Sequence, residues 1–96
     1  MNLTARSEAA AILERARRYL AHCPPSISGQ HGHDAAFRAA CVLVHGFALD
    51  SQAALTLLHE WNQACQPPWS EADLKHKLTS ALHAAHQNPR GHLLKD

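Results

Sequence analysis

The stretch DSQAALTLLHEWNQACQPPWSEADLKHKLTSAL, residues 50–82, decides the fold because it holds two helical patterns and the break between them. Asp50 and Ser70 are residue types that cap helix N-termini, and two adjacent prolines interrupt the pattern. Apolar residues recur at helical spacing in both parts: Ala54, Leu57, Leu58, Trp61 and Cys65, then Leu74, Leu78, Ala81, Leu82 and Ala85. We therefore predict one helix from Asp50 to the prolines and another from Ser70 to Asn88-Pro89.

Two further helices are predicted on the N-terminal side of this stretch. The first runs from Thr4 or Ser7 to His22, and Pro24-Pro25 ends it. The second covers about residues 35–45, with Asp34 as its N-cap and Gly46 as a left-handed C-terminal cap. A long loop, CPPSISGQHGHD, joins them and contains two prolines and two glycines.

Composition agrees with an all-α fold. The chain has 96 residues, of which 46% are apolar and 18% charged, so it can form one compact core. Alanine, leucine and charged helix formers dominate, while the β-branched and aromatic residues that build sheets are scarce. The sequence predicts a single bundle of four main helices over residues 1–96, with residues 89–96 as a tail or linker whose Leu93 and Leu94 either fold back or lead onward.

The net charge and the cysteine content indicate which partners and which cellular setting to expect. The formal net charge is +1, so nucleic-acid binding would need a local basic patch, although nine histidines can add charge in mild acid. The three cysteines are odd in number and widely spaced, and no signal peptide precedes them, which favours a reduced cytoplasmic setting. No apolar run approaches the roughly 20 residues that span a bilayer, so a membrane partner is not expected.

Motifs for catalysis or metal binding are missing from the sequence. There is no GxSxG turn, no phosphate-binding GxxxxGK loop, no HExxH and no CxxC. His83 and His86 are three apart on the predicted fourth helix, which leaves a histidine-rich metal-binding domain open as an alternative. We expect no catalytic residues, no metal site and no bound cofactor.

The best candidate site is the loop that leads into the second helix. A helix N-terminus offers free amide hydrogens and the positive end of a dipole, which suits phosphate. Glycines would let the backbone approach a ligand, and polar side chains would donate hydrogen bonds. The predicted phosphate- or nucleotide-binding residues are Ser28, Gly29, Gln30, His31, Gly32, His33, Asp34 and Arg38. The same residues would also suit an ordinary interhelical loop.

Two basic spots are candidates for contact with a nucleic-acid backbone. Arg15 and Arg18 lie on the first predicted helix, and Lys75 and Lys77 lie on the fourth. Such residues equally form an ordinary solvated helix face.

The segment from His33 to Ala84 resembles the helical domain on the C-terminal side of archaeo-eukaryotic-type primases of plasmids, phages and bacterial mobile elements, the PriCT group. The resemblance lies in GHDAAFRAACVLVHGF, then ALDSQAALTLLHEWNQAC, then PPWSEADLKHKLTSALHAA. Its most specific element is an asparagine late in the third helix, followed by Pro-Pro, an aromatic residue and an acidic helix start: Asn62, Pro67, Pro68, Trp69 and Glu71, with Ser80 and Ala81 further on. The Arg-Asn pair common at the family's first turn is His33-Asp34 here.

This resemblance implies a non-catalytic accessory module of a primase or primase-helicase. Such a module would adjoin a nucleotidyl-transfer domain and a helicase, and would help to hold single-stranded template DNA and an initiating nucleoside triphosphate. Fold-level analogy does not establish function. A protein-interaction adaptor without a nucleic-acid role therefore remains the main alternative, with Trp69, Leu93 and Leu94 as its apolar patch.

Overall fold

The computed structural model describes residues 3–27 and 32–94, and side chains from residue 8 onward. It contains four α-helices: α1 (Leu3–Ala21), α2 (Gly32–Cys41), α3 (Ser51–Asn62) and α4 (Glu71–His83). A π-helical turn, Val42–Gly46, continues α2, and a short 3-10 turn, His92–Leu94, follows α4. The predicted all-α bundle is confirmed, since the one β-type contact in the described ranges is an isolated bridge between Ile27 and Gln66.

The helix starts of α3 and α4 are as the sequence predicts. The carboxylate of Asp50 accepts a hydrogen bond from the Ala53 N–H at 2.8 Å. The hydroxyl of Ser70 accepts one from the Asp73 N–H at 3.1 Å. Each bond satisfies an amide that has no partner within the helix, so the local sequence fixes where both helices begin.

Two other boundaries differ from the prediction. Helix α2 begins at Gly32, so Asp34 is not the N-cap but lies within the first turn. Helix α4 ends at His83, because Ala84 adopts an extended backbone with φ −75° and ψ 152°. Ala85, Asn88 and Pro89 therefore belong to the following loop, which the apolar periodicity through Ala85 did not indicate.

The core lies where α2, its π-helical extension, α3 and α4 meet. Its largest fully buried side chains are Leu43, Val44, Leu57, Leu58 and Leu74. The fully buried residues of α2 are all small, since they are Ala36, Ala39 and Ala40. Small side chains let the axis of α2 approach α4 closely, so the long side chains of the neighbouring elements fill the remaining volume.

Gly46 ends the π-helical turn for a reason that differs from the prediction. Its φ is not positive; the left-handed residues in the described ranges are Ala48, with φ 52°, and Gly91, with φ 85°. A Cβ at position 46 would lie 2.4 Å from the Leu93 Cδ1 atom. Glycine therefore makes room for a leucine of the C-terminal segment, and Ala48 reverses the chain.

The C-terminal segment folds back onto the bundle. Leu93 and Leu94 are partly buried against the core. The guanidinium of Arg15 donates hydrogen bonds to the carbonyls of Leu93, at 3.1 Å, and Leu94, at 3.4 Å. The Gly91 N–H donates to the His45 carbonyl at 2.7 Å. Of the two arrangements considered for this segment, the folded-back one is present.

In the part of the chain that the structure describes, no helix combines the length and apolar character needed to cross a bilayer.

Replacing the buried Leu58 by alanine should lower the free energy of unfolding by about 2–5 kcal/mol, because the substitution leaves a cavity in a close-packed core. Urea unfolding followed by circular dichroism measures the change. Leu82→Ala is the matched control, since the Leu82 side chain is 46% exposed and its removal should cost less than about 1 kcal/mol. Equal losses in the two variants would contradict the assigned core.

Candidate functional site

Asn62 holds the loop between α3 and α4 through its side-chain amide. Its Oδ1 accepts a hydrogen bond from the Trp69 N–H at 2.7 Å, and its Nδ2 donates to the Trp69 carbonyl at 2.8 Å. The amide thus satisfies both polar groups of one backbone residue, as a neighbouring strand would. Asn62 is 8% exposed, so these bonds are largely shielded from water.

A second set of bonds ties this loop to the segment after α1. The Gln66 N–H donates to the Ser26 carbonyl at 2.8 Å. The Ser26 N–H donates to the buried Cys65 Sγ at 3.4 Å. The end of α3 is therefore joined to the segment that leads toward α2, which brings the start of α2 close to Trp69.

Trp69, His33 and Lys77 form a compact group, here called the tryptophan cluster. The imidazole of His33 meets the indole edge-on, with ring centroids 5.0 Å apart. The Lys77 Nζ lies 5.5 Å from the indole centroid, within range of a cation–π interaction. The same ammonium donates to the His33 Nδ1 at 3.1 Å. Because an ammonium has no acceptor, Nδ1 accepts this bond and a neutral His33 carries its proton on Nε2.

The tryptophan cluster borders a groove of about 380 Å³, here called the Trp69 groove. Its lining combines aromatic, proline and small polar residues: Ser26, Gly32, His33, Pro67, Pro68, Trp69 and Asp73. The indole N–H of Trp69 is buried and has no acceptor within the described ranges. The groove thus offers a partly exposed aromatic ring, one ammonium group beside it and one carboxylate.

The predicted loop site is only partly described. Ser28, Gly29, Gln30 and His31 lie outside the described residues. Gly32 and His33 line the Trp69 groove. A Cβ at position 32 would lie 2.5 Å from the Ser26 Oγ, so this hydroxyl fills the space beside the glycine. The approach of a ligand to the Gly32 backbone stays a prediction.

The other two predicted residues of this site do not line the groove. Asp34 is exposed in the first turn of α2. Its carboxylate interacts favourably with the helix dipole there, but it would repel a bound anion. Arg38 is exposed, and its charge acts on the Cys23 thiol. Neither residue therefore contributes to the Trp69 groove.

The four basic residues predicted to contact DNA have separate environments. Arg15 binds the carbonyls of the C-terminal segment. Arg18 pairs with Glu14 at 3.4 Å, and Lys75 pairs with Glu71 at 3.6 Å. Lys77 alone among the four belongs to the tryptophan cluster. Arg15 and Arg18 line one surface depression, and Lys75 lines a different one.

The cysteines are poor nucleophiles. Burial raises the pKa of the thiols of Cys23, Cys41 and Cys65 above the ordinary value. Nearby groups only partly oppose this effect: the charge of Arg38 lowers the pKa of Cys23, and the hydrogen bond from Ser26 lowers that of Cys65. Because the thiolate is the reactive form, these thiols have little nucleophilic character near neutral pH.

The expected pairing of His83 with His86 on one helix is wrong. His83 is the last residue of α4, and His86 lies beyond it, where its ring stacks on that of His45 at a centroid distance of 3.8 Å. No group of three or more potential metal ligands occurs within residues 3–27 and 32–94.

The residues expected to form the apolar patch of an adaptor lie at the edge of the core. Trp69, Leu93 and Leu94 are all partly buried against the core. The large apolar side chains that the described part of the chain exposes are Tyr19, at 44%, and Leu82, at 46%.

Comparison with known proteins found no matching family model, curated protein or solved structure. The resemblance to primase C-terminal domains thus remains a prediction, and the site must be judged from its own geometry.

Sequence reasoning missed the Trp69 groove because its parts come from three separate regions of the chain. Trp69 was noted as part of a motif and Lys77 as part of a basic spot, without any sign that His33 joins them. The spacing of Asn62 and Trp69, with two prolines between them, was the one available signal. Such spacing indicates a fixed turn, but it does not identify the partner of the aromatic ring.

Asn62→Leu should destabilise the protein by about 1–3 kcal/mol, because it leaves the Trp69 N–H and carbonyl without partners. It should also shift the Trp69 indole resonance in NMR spectra. Gln63→Ala is the control, since Gln63 is exposed and next in sequence. If Asn62→Leu left both the unfolding free energy and the indole resonance unchanged, the hydrogen bonds between the Asn62 side chain and the Trp69 backbone would have no structural role.

Alkylation by iodoacetamide at about pH 8 should be slower for all three thiols than for free cysteine, whose pKa is about 8.5. A raised pKa lowers the thiolate fraction at any pH below it, so the rate should climb as the pH rises further. Mass spectrometry of the intact protein measures the rates, with urea-unfolded protein as the control. Reaction of the folded protein at the rate of the unfolded chain would contradict the effect of burial.

Proposed function

We propose that this chain is a non-catalytic binding module for single-stranded DNA, and that the Trp69 groove holds one base and its adjacent phosphate. The observation that carries this proposal is the tryptophan cluster. A partly exposed indole is held in place at its backbone and has an ammonium group 5.5 Å from its ring centroid. Aromatic rings beside basic side chains are the common means of binding single strands without sequence preference.

The chemistry of the groove favours base stacking over capture of a triphosphate. The described lining includes a carboxylate, Asp73, and the neighbouring cation is Lys77. One ammonium beside one carboxylate leaves almost no net positive charge for a group as highly charged as a triphosphate. A base carries no charge, and its π-face can contact the indole, while Lys77 can reach one phosphate of the strand.

The setting that fits this activity is replication priming. An accessory domain of a primase or primase-helicase would need to hold template without reading its sequence. The support for this setting is the order of Asn62, the two prolines, Trp69 and the acidic helix start. We further propose that the domain adjoins a nucleotidyl-transfer domain and a helicase in a cytoplasmic protein.

Binding of a fluorescent oligodeoxythymidylate, measured by anisotropy, tests the proposal. Trp69→Leu should weaken binding by roughly five- to 150-fold, because stacking of a base on an aromatic side chain contributes about 1–3 kcal/mol. Lys77→Ala should weaken binding and reduce the slope of log K against log salt by about 0.7, the value for one phosphate contact on a single strand.

Lys75→Ala is the matched control, because Lys75 is two residues away on α4 and pairs with Glu71 outside the groove. It should leave the affinity almost unchanged. A parallel NMR titration with a nucleoside triphosphate should shift the amides of Gly32 and His33 less than the oligonucleotide does. Absence of any oligonucleotide binding, or equal effects of the two lysine variants, would exclude this function and favour a protein-interaction adaptor.

A further inference from the structure

Three histidines that the proposed function does not use meet at one end of the bundle. His45 belongs to the π-helical turn, His86 follows α4, and His92 begins the 3-10 turn. The rings of His45 and His86 are stacked, with centroids 3.8 Å apart and planes 14° apart. The ring of His92 lies 5.9 Å from that of His45. We call these residues the histidine stack.

The hydrogen bonds of the stack fix where its protons lie. The Nε2 of His45 is 2.6 Å from the Asn88 carbonyl, and the Nε2 of His86 is 2.9 Å from the Ala81 carbonyl. Since a carbonyl oxygen only accepts, both Nε2 atoms carry hydrogen, and in the neutral rings Nδ1 is the basic atom. Both rings can therefore gain a proton without losing these bonds.

A first proton is compatible with the stack, but a second is not. His86 bonds a carbonyl in the last turn of α4, where the helix dipole favours a positive charge. Once His86 is charged, protonation of His45 would put two like charges in stacked rings 3.8 Å apart. The doubly charged state therefore favours separation of the two rings.

The described groups near the stack do not include an acid that would offset this repulsion. His92 lines a surface depression together with Arg15 and Arg18 of α1 and with His22, which follows α1. Within the described ranges, no carboxylate lies within 4.0 Å of the ring nitrogens of the stack, since the one histidine–carboxylate pair is His59 with Glu71. The other acids with described contacts are engaged elsewhere: Glu14 and Glu60 with Arg17, Asp50 at the α3 N-terminus and Asp73 in the Trp69 groove.

The stack holds the C-terminal segment against the bundle. The Gly91 N–H donates to the His45 carbonyl, and the Asn88 carbonyl accepts from the His45 ring. Leu93 fills the space beside Gly46. Arg15 secures the far end of the segment through bonds that acid does not alter, because a guanidinium remains charged. Separation of the rings would therefore open the segment between α4 and Leu93.

We propose that the histidine stack is an acid-sensitive latch, which keeps residues 84–92 on the bundle at neutral pH and releases them when both His45 and His86 are protonated. The consequence is exposure of the backbone of the π-helical turn around His45 in mild acid, while Leu93 stays in place beside Gly46. The helices themselves remain folded, because the core residues of α2, α3 and α4 do not depend on the stack.

Amide hydrogen exchange followed by NMR tests the latch, with rates expressed as protection factors to remove the intrinsic effect of pH. Between about pH 7.5 and pH 5, where histidines titrate, the protection of the Gly91 amide should fall by about tenfold or more. The Ala54 amide, which bonds the Asp50 carbonyl within α3, should keep its protection. Unchanged protection at Gly91 would overturn the proposal.

Glutamine variants test whether the stack causes the opening. His86→Gln keeps an N–H that can bond the Ala81 carbonyl, but its side chain cannot gain a charge. The acid-induced fall in the protection of the Gly91 amide should therefore largely disappear. His83→Gln is the matched control, because His83 is exposed at the end of α4, and it should behave as the wild type does. If Gly91 lost protection equally in both variants, the stack would not be the cause.

If the Gly91 amide of His86→Gln already lacks protection at neutral pH, a second measurement on the wild-type protein tests the latch. The ring C–H resonances of His45 and His86 in the wild-type protein should titrate in two separate steps, and the Gly91 amide should respond at the second step. A Gly91 response at the first step, or a single shared step, would overturn the latch. The outcome is independent of oligonucleotide binding, since none of these histidines lines the Trp69 groove.

Discussion

The hydrogen bonds between the Asn62 side chain and the Trp69 backbone determine where the candidate site lies. Two prolines restrict the chain between these residues but cannot donate hydrogen bonds. The amide of Asn62 supplies both a donor and an acceptor in one rigid group, at 2.8 and 2.7 Å. Trp69 is thus held at the end of α3 while Ser70, the next residue, caps α4, so one short segment places both the aromatic ring and the helix that carries Lys77.

The segment between α1 and α2 also helps to position the candidate site. Ser26 bonds the turn after α3, and its hydroxyl occupies the space that a side chain at position 32 would need. Glycine at position 32 consequently allows α2 to start close to the proline turn. His33, one residue later, then reaches Trp69 and Lys77. The glycine thus allows two protein segments to approach each other, a role that the sequence pattern does not indicate.

The fold class and the starts of α3 and α4 could be predicted from the sequence, because caps and apolar periodicity act between neighbouring residues. Asp50 and Ser70 illustrate this, since each bonds an amide three residues ahead. The end of α4 could not be predicted from the local pattern. The ring of His86 stacks on the ring of His45, which lies 41 positions earlier in the chain. The tryptophan cluster was missed for the same reason: His33 and Lys77 are separated by 44 positions, and no local pattern records their contact.

The charges around the Trp69 groove also indicate how such a module would work within a larger protein. In the proposed function, one ammonium and one aromatic ring would give a weak contact with a single strand, which salt would weaken further. Weak binding suits a template that must slide, because a strand held by many phosphate contacts would move slowly. Linkage to a neighbouring domain that holds the same strand would raise the local concentration of DNA at the groove and make the weak contact effective. The mixed charge of the groove is therefore consistent with an accessory role, in which the module guides a strand that another domain binds more tightly.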